Sequence, residues 1–191
     1  MKMFKNTLVL TLITVIAGAL LGLVYEITKE PIAKAQENAK KEAWEEVFKE
    51  ASEEDFEAVD LDEKVAADVI KTLGVNAEVN EAVIVKDKGH IVTTTSKNGY
   101  GGDIKITVGI TNDGEISGVS FLSIGETAGL GMKAKEPAFY NQYVGKTTDN
   151  FYVSKDGGDG EAIDALSGAT ITSRAVTEAV NVALAYSKEG F

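Results

Sequence analysis

The chain has 191 residues, 44% of them apolar, and a formal net charge of -11, with no cysteine and a single histidine. This length and composition suit one membrane anchor and one folded domain, and they argue against wholesale disorder. An acidic domain repels phosphate backbones, which makes nucleic acid a poor candidate partner, and the missing cysteines exclude disulfides and thiolate-bound iron–sulfur clusters. A histidine-based triad or metal site is equally hard to assemble, so we expect the chemistry to depend on a bound cofactor.

An apolar run opens the chain, since Asn6–Tyr25 holds no charged residue. At ~1.5 Å per residue this run reaches ~30 Å, the thickness of the hydrocarbon core of a bilayer. Lysines precede it, so the positive-inside rule places the N-terminus in the cytoplasm and the rest of the chain outside. Ala17-Gly18-Ala19 resembles a cleavage site, which leaves a cleaved signal peptide as the alternative. Because Leu20–Val24 continue the apolar run, we predict that residues 1–25 form a retained, single-pass anchor in the cell (inner) membrane.

Residues 26–75 are predicted to be mainly helical. Glu26–Ala51 is rich in Glu, Lys and Ala, with small and apolar residues near helical spacing, and it predicts a juxtamembrane helix that continues out of the membrane. Trp44 and Phe48 form an i,i+4 pair that we interpret as core contacts to the following domain. An acidic loop is expected next, followed by a short helix over Glu63–Thr72 that ends at a glycine cap.

Residues 76–191 are predicted to form an extracytoplasmic α+β domain in which helices pack against an antiparallel sheet. Short apolar or alternating runs bounded by turn residues predict strands at Ala82–Val85, Ile91–Thr95, Ile104–Ile110 and Ile116–Phe121. Gly118 interrupts the alternation of the last strand, so a β-bulge is expected there. An apolar stripe from about Ser173 to Lys188 predicts a C-terminal helix.

A hydroxyl-rich segment, Ser167-Gly168-Ala169-Thr170-Ile171-Thr172, comes directly before this helix. The backbone N–H groups of a first helical turn lack intrahelical partners and favour an anion. Gly168 and Ala169 would let a ligand approach the backbone closely. The pattern therefore predicts a phosphate site, but Ser and Thr are also ordinary helix caps, and the residues alone leave both interpretations open.

The same segment resembles the flavinylation motif of the FMN-binding domain family. That family includes the G-type flavoprotein of the Rnf electron-transport complex and the C-type flavoprotein of the sodium-translocating NADH:quinone reductase. Gly99–Gly102 and Gly125–Gly131 resemble two further elements of the family, with Ala128 in place of the usual proline. Asp164 stands where the family has an aspartate ahead of the motif. The short chain without insertions is more similar to the Rnf flavoprotein than to the quinone-reductase flavoprotein.

The resemblance implies that FMN is attached covalently to Thr172 through a phosphoester. No adjacent His or Lys could serve as a base for this hydroxyl. The resemblance implies that a separate flavin transferase attaches the FMN with FAD as donor, so that Thr172 is a substrate for modification, and neither a catalytic residue nor a metal ligand is expected. The residues implied to bind FMN are Thr172 with Ser167, Gly168, Ala169 and Thr170 of the motif, and Glu126, Thr127, Gly129, Leu130 and Gly131 of the glycine-rich loop.

The function implied by the resemblance is that of an electron-carrying component of an Rnf-type ion-translocating ferredoxin:NAD+ oxidoreductase. The implied partners are the other membrane and peripheral components of the Rnf complex, its A, B, C, D and E subunits. Ferredoxin and NAD would bind those subunits, because this chain has no cysteine cluster and no dinucleotide fingerprint after a strand. The alternatives are a C-type flavoprotein of NADH:quinone reductase and a non-redox, membrane-anchored binding or sensor module.

Overall fold

The computed structural model describes residues 2–191, apart from the side chain of Lys2. Residue 1, with which the predicted anchor begins, lies outside the described residues. The chain divides into two units between Lys40 and Lys41. Helix α1 (Lys2–Val47) forms the described part of the first unit and continues into the second. The helix predicted from Glu26 is observed as a continuation of the N-terminal helix, and it ends at Val47, short of the predicted Ala51.

The first unit is the N-terminal part of α1. Its apolar side chains are exposed, and it contains an 18-residue window with a mean hydropathy of 2.5. Length and composition make this helix a candidate membrane span, as the sequence predicts. Pro31 lies inside the helix. Because proline has no backbone N–H, the carbonyl of Ile27 lacks its usual intrahelical donor.

The second unit is an α+β domain. After the end of α1 its elements are β1 (Phe56–Val59), α2 (Glu63–Leu73), β2 (Ala77–Val85), β3 (Gly89–Ser96), β4 (Ile104–Thr111), β5 (Ile116–Ile124), α3 (Pro137–Tyr140), β6 (Phe151–Val153), β7 (Glu161–Ile163) and α4 (Thr170–Glu189). Strands β1 to β5 form one antiparallel sheet in chain order, and β6 pairs with β7 in parallel. The predicted fold class, with an antiparallel sheet packed by helices, is confirmed.

Local signals explain where α2 begins and ends. The Asp62 carboxylate caps its start by accepting hydrogen bonds from the N–H groups of Lys64 and Val65. Gly74 ends it with a φ of 65°, a left-handed conformation that glycine adopts without steric cost. The predicted helix is confirmed, but the acidic segment before it is not only a loop. That segment contains β1, which extends the sheet by pairing with β2.

The predicted bulge in β5 lies one residue earlier than expected. Gly109 of β4 pairs with Gly118 of β5, and the register shifts immediately before this pair, so that Ser117 is the extra residue. The glycine at 118 is explained by a close contact instead. A Cβ on Gly118 would lie 2.7 Å from Cα of Val47 at the end of α1.

One face of the sheet, called the α4 face here, packs against α4 and α2. It presents large aliphatic side chains, among them Ile104, Ile106 and Val108, which are fully buried. Thr94 of β3 adds a buried hydrogen bond of 2.9 Å from its hydroxyl to the carbonyl of Ala179 in α4. These contacts hold α4 across the sheet and fix the position of its first turn.

The opposite face, called the α1 face here, packs against the C-terminal end of α1. Side chains point to alternate faces along a strand, so Val83 and Ile91 lie on this side, where they contact Val47 and Phe48. The indole of Trp44 packs against the same cluster, with its ring centroid 5.7 Å from that of Phe56. The predicted role of the aromatic pair as core contacts is confirmed.

Candidate cofactor-binding site

A cleft of about 560 Å³ lies between the first turn of α4 and the loop that follows β5. Its volume falls within the range of about 300–1,000 Å³ that is typical of small-ligand sites. The residues that line it are Tyr100, Glu126, Thr127, Leu130, Gly131, Gly168, Ala169, Thr170, Ile171 and Thr172. Three separate chain segments therefore build this site: the loop before β4, the loop after β5 and the start of α4.

The central contact of the cleft joins Thr172 to Glu126. Thr172 is the third residue of α4 and is only 1% exposed. Its hydroxyl donates a hydrogen bond of 2.8 Å to Oε2 of Glu126. The other carboxylate oxygen, Oε1, accepts the backbone N–H of Gly101 at 3.1 Å. Glu126 is itself 7% exposed, so this carboxylate links all three segments while shielded from water.

Close backbone approaches explain several glycines around this contact. A Cβ on Gly131 would lie 2.6 Å from Oγ1 of Thr172 and 2.7 Å from Oε2 of Glu126. A Cβ on Gly101 would lie 2.2 Å from the carbonyl oxygen of Gly125. Any larger residue at these positions would force neighbouring atoms to move, so glycine is required for the segments to meet.

The start of α4 supplies unpaired backbone donors to the cleft. The helix begins at Thr170, three residues earlier than the predicted Ser173, and its N-cap, Ala169, has no side chain that can cap the first turn. By position, the N–H groups of Thr170, Ile171 and Thr172 have no intrahelical acceptor. The expected anion-binding end of the helix therefore lines the cleft, with Thr172 inside the first turn.

The hydroxyl groups near the helix start have different roles. Ser173 is buried, donates to the carbonyl of Ala169 at 3.0 Å and accepts the N–H of Leu166 at 2.9 Å, which closes the turn before the helix. Ser167 is exposed and does not line the cleft. Among residues 167–173, all of which the structure describes, Thr172 alone combines burial with a hydrogen bond to the cleft carboxylate.

The structure brings most of the predicted binding residues to the cleft, with two departures. Ser167 lies just outside it, and so does Gly129, whose φ of 76° shapes the turn beneath Leu130. Asp164 also lies away from the cleft, where its carboxylate accepts a hydrogen bond from Ser154 at 3.1 Å. The first two were expected to bind the cofactor on the basis of motif membership, which does not determine where each residue of a turn points.

An exposed apolar rim was not predicted from the sequence in full. Tyr100 is 71% exposed, Ile171 is 47% exposed, and the predicted Leu130 is 44% exposed, and all three line the cleft. Apolar and aromatic side chains are the usual lining of small-ligand sites. The glycines around Tyr100 were a usable signal for this residue, whereas Ile171 was named only as part of the motif and was given no role of its own.

The charges near α4 are arranged away from the cleft. Arg174 is exposed and binds Asp156 through two hydrogen bonds, which lowers the pKa of the Asp156 carboxyl below its ordinary value. Within the described part of the chain, Glu126 is the only charged residue that lines the cleft, and no cluster of His, Asp or Glu residues could hold a metal ion. A phosphate group here would depend on backbone donors rather than on an arginine.

Comparison with known proteins gives two family matches. Residues 99–185 match the FMN-binding domain, and residues 1–47 match the RnfG N-terminal region. The first match contains every residue that lines the cleft. The solved structure of Shewanella oneidensis NqrC is similar with a TM-score of 0.42 and 28% identity, over 53% of each chain.

Relatives of similar length cover nearly the whole chain. The G subunit of the Na(+)-translocating ferredoxin:NAD(+) oxidoreductase complex of Acetobacterium woodii is 34% identical over 95% of this chain and 89% of its own. The G subunit of the ion-translocating oxidoreductase complex of Pseudomonas aeruginosa is 34% identical over 97% of this chain and 88% of its own. The chain therefore belongs to the family of G subunits of ion-translocating oxidoreductase complexes, and it contains that family's FMN-binding domain.

Proposed function

We propose that this chain is the electron-carrying G subunit of an Rnf-type ion-translocating ferredoxin:NAD+ oxidoreductase and that it holds FMN as a phosphoester on Thr172. The family match supports the cofactor, and the relatives support the complex. The observation that carries the point of attachment is the Thr172 hydroxyl, which is buried, lines the cleft and lies in the first turn of α4.

The first turn of α4 would hold the phosphate. An ester phosphate keeps about one negative charge, and the positive end of a helix stabilises such a charge by ~0.3–1 kcal/mol. The N–H groups of Thr170 and Ile171 are the nearest donors in sequence, and Gly168 leaves the approach to the backbone open. This arrangement fits a cleft that has no cation among its described lining residues.

The rest of the cleft would hold the flavin ring. Tyr100, Leu130 and Ile171 offer exposed apolar surface for its faces, while Thr127 and Gly131 line the wall beside them. FMN supplies reversible uptake and release of electrons, a chemistry that the side chains of this chain do not provide. A covalent bond would prevent loss of the cofactor from a domain outside the cytoplasm.

The membrane arrangement follows the charge pattern of the N-terminal segment. Residues 1–25 would anchor the chain in the cell (inner) membrane with the N-terminus in the cytoplasm, residues 26–75 would form the juxtamembrane part, and residues 76–191 would form the extracytoplasmic domain. The A, B, C, D and E subunits of the complex would be the partners in electron transfer. A flavin transferase would load the cofactor from FAD.

The test is to produce the full chain with a flavin transferase and to examine it after denaturation. We expect in-gel flavin fluorescence and a single flavin-bearing peptide that contains modified Thr172. Thr172→Ala should abolish this signal, whereas Thr170→Ala and Ser173→Ala should retain the modification at Thr172. A flavin-bearing peptide from the Thr172→Ala chain would overturn the attachment site. A chain that stays colourless in every preparation would favour the non-redox binding module.

A further inference from the structure

We propose that Glu126 is the general base for modification of Thr172, supplied by the acceptor protein itself. The inference rests on the proposed function, because it concerns how the phosphoester forms. Its starting point is the 2.8 Å hydrogen bond from the Thr172 hydroxyl to Oε2 of Glu126, in which the carboxylate already accepts the proton that must leave. The sequence indicated no base near Thr172 because no His or Lys is adjacent, and Glu126 lies 46 positions away.

The carboxylate is held in the orientation that this role requires. Oε1 is fixed by the N–H of Gly101 at 3.1 Å, which leaves Oε2 directed at Thr172. Gly131 leaves space for this hydrogen bond because it has no side chain. A Cβ there would lie within 2.7 Å of both Oγ1 of Thr172 and Oε2 of Glu126. Gly99 makes similar room on the other side, where a Cβ would lie 2.8 Å from Oε1.

Other groups in the cleft do not compete for this role. Among the described lining residues, Glu126 is the only charged one, and Tyr100 is the only other side chain that titrates. Tyr100 is 71% exposed at the rim, whereas Glu126 contacts the reacting oxygen directly. A geometry in which the base touches the nucleophile before the donor binds is the arrangement expected of an activated hydroxyl.

The group transfer conserves atoms and electrons. Oγ1 of Thr172 attacks the phosphorus on the flavin side of FAD, and a new phosphorus–oxygen ester bond forms. The pyrophosphate bond to the adenylate side breaks, and AMP leaves with that electron pair. The Oγ1 proton passes to Oε2 of Glu126 and later to solvent. No oxidant or reductant is consumed, and the products are the Thr172 phosphoester of FMN, AMP and one proton.

A purely structural role for Glu126 makes different predictions. The buried Thr172 hydroxyl needs an acceptor whether or not it reacts. Glu126→Gln keeps the shape and one acceptor oxygen, which can face the N–H of Gly101 while the new NH2 group donates to the Thr172 hydroxyl, but it cannot take up the proton. If Glu126 served only recognition by the transferase, the substitution would raise the KM for the acceptor chain. If Glu126 is the base, the substitution lowers kcat.

The experiment measures initial rates of covalent flavin incorporation into the unmodified full chain, with purified transferase and saturating FAD. Glu126→Gln should lower kcat by about 10²–10⁴-fold, the usual contribution of a general base. Glu126→Asp keeps a carboxylate but moves it away from the Thr172 hydroxyl, so its kcat should lie between those of the wild type and Glu126→Gln. Glu57→Gln is the matched control, since Glu57 is exposed on β1, and it should react at the wild-type rate.

The pH profile separates a proton acceptor from a hydrogen-bond acceptor. The wild-type to Glu126→Gln ratio of kcat cancels the transferase's own pH dependence. If Glu126 takes up the proton, this ratio should change with pH, and a pH-independent ratio would count against the proposal. Circular dichroism and thermal unfolding would verify that each variant is folded before rates are compared.

Three further results would count against the proposal in distinguishable ways. Glu126→Gln modified at the wild-type kcat would overturn the role of Glu126 and leave the attachment at Thr172 intact. A reduced rate caused by KM alone would assign Glu126 to recognition and also overturn the proposal. Wild-type chain that acquires no flavin on Thr172 under the same conditions would overturn the proposed attachment together with this inference.

Discussion

The two faces of the sheet are buried by opposite means. On the α4 face, side chains such as Ile104 and Ile106 fill the space beneath the helix. On the α1 face, the end of α1 approaches the glycine pair, Gly109 and Gly118, where side chains are missing. Val47 occupies the space that a Cβ on Gly118 would need. The α4 face thus depends on large side chains, whereas the α1 face combines a smaller apolar cluster with a close backbone approach at two glycines.

This difference determines which substitutions each face tolerates. Removing atoms from the α4 face leaves a cavity, whereas adding atoms to the glycine pair forces two backbones apart. The two faces also have different structural roles. The α4 face positions the first turn of α4, which lines the cleft, while the α1 face connects the domain to the helix that leads to the predicted anchor. A hydrogen bond from Ser120 of β5 to Glu46 of α1 supports the second connection.

The largest effect is expected on the α4 face. Ile106→Ala should lower the free energy of unfolding by about 2–5 kcal/mol, because the side chain is fully buried and the space is only partly refilled. Chemical denaturation of the full chain in detergent would measure the loss. Ile84→Ala on β2 is the control, since Ile84 is 36% exposed and should lose less. Equal losses at the two sites would show that volume does not dominate on the α4 face.

A smaller loss is expected when the α1 face is overfilled. Gly118→Ala should cost about 1–3 kcal/mol, because the nearest atoms belong to the Val47 backbone, which cannot rotate away. Trp44 is the only tryptophan and lies in this contact, so its fluorescence would report the displacement directly. Gly22→Ala is the control, with no atom within 4 Å of its Cβ. Unchanged stability and fluorescence would contradict the contact between α1 and the sheet.

A substitution in the cleft should affect loading more than stability. Gly131→Ala would place a Cβ 2.6 Å from Oγ1 of Thr172, 2.7 Å from Oε2 of Glu126 and 2.8 Å from Cβ of Glu126, so that the two residues must move. Flavin incorporation should slow by up to about 10²-fold, as is usual for a misplacement of about 1 Å. Gly125→Ala is the control, because its Cβ would make only an ordinary 3.6 Å contact. Equal loading of both variants would disprove the close packing.

The smallest effect is expected from a surface pair that belongs to neither face. Arg174 lowers the pKa of Asp156 below its ordinary value of 3.8, so the pair stabilises the fold above that value and loses its effect as the pH falls through the lowered pKa. Asp156→Asn should therefore reduce the unfolding midpoint slightly at pH 7, and the difference should shrink below about pH 4. A difference that grows in acid would contradict this sign.

Sequence patterns predicted the α4 face better than the α1 face. Alternation along Ile104–Ile110 requires only local information, because every second residue faces the same core. The short β1 was missed because its burial depends on pairing with β2. Gly118 was interpreted as a bulge signal, since a glycine inside a strand does not show which distant backbone approaches it. Val47 lies far away in sequence, and only the folded chain brings the two together.

The candidate site shows the same division. The motif that ends at Thr172 was recognisable from its residues and its resemblance to a family. Its hydrogen bond to Glu126 was not, because the two residues belong to different elements. The exposure of Ile171 at the rim was equally hidden, since a motif does not show which of its residues face solvent. The two motifs identified Thr172 and Glu126 separately, and the tertiary structure supplied the contact between them.

The hydrogen bond between Thr172 and Glu126 also has a consequence for the order of events in biogenesis. Its partners are 46 positions apart, and Gly101, which orients the carboxylate, lies another 25 positions before Glu126. None of these contacts exists in an unfolded chain, and α4 follows the other described elements in chain order. Under the proposed chemistry, Thr172 becomes reactive only after the domain has folded. Only folded chains would then receive the cofactor, and a misfolded chain would stay without FMN.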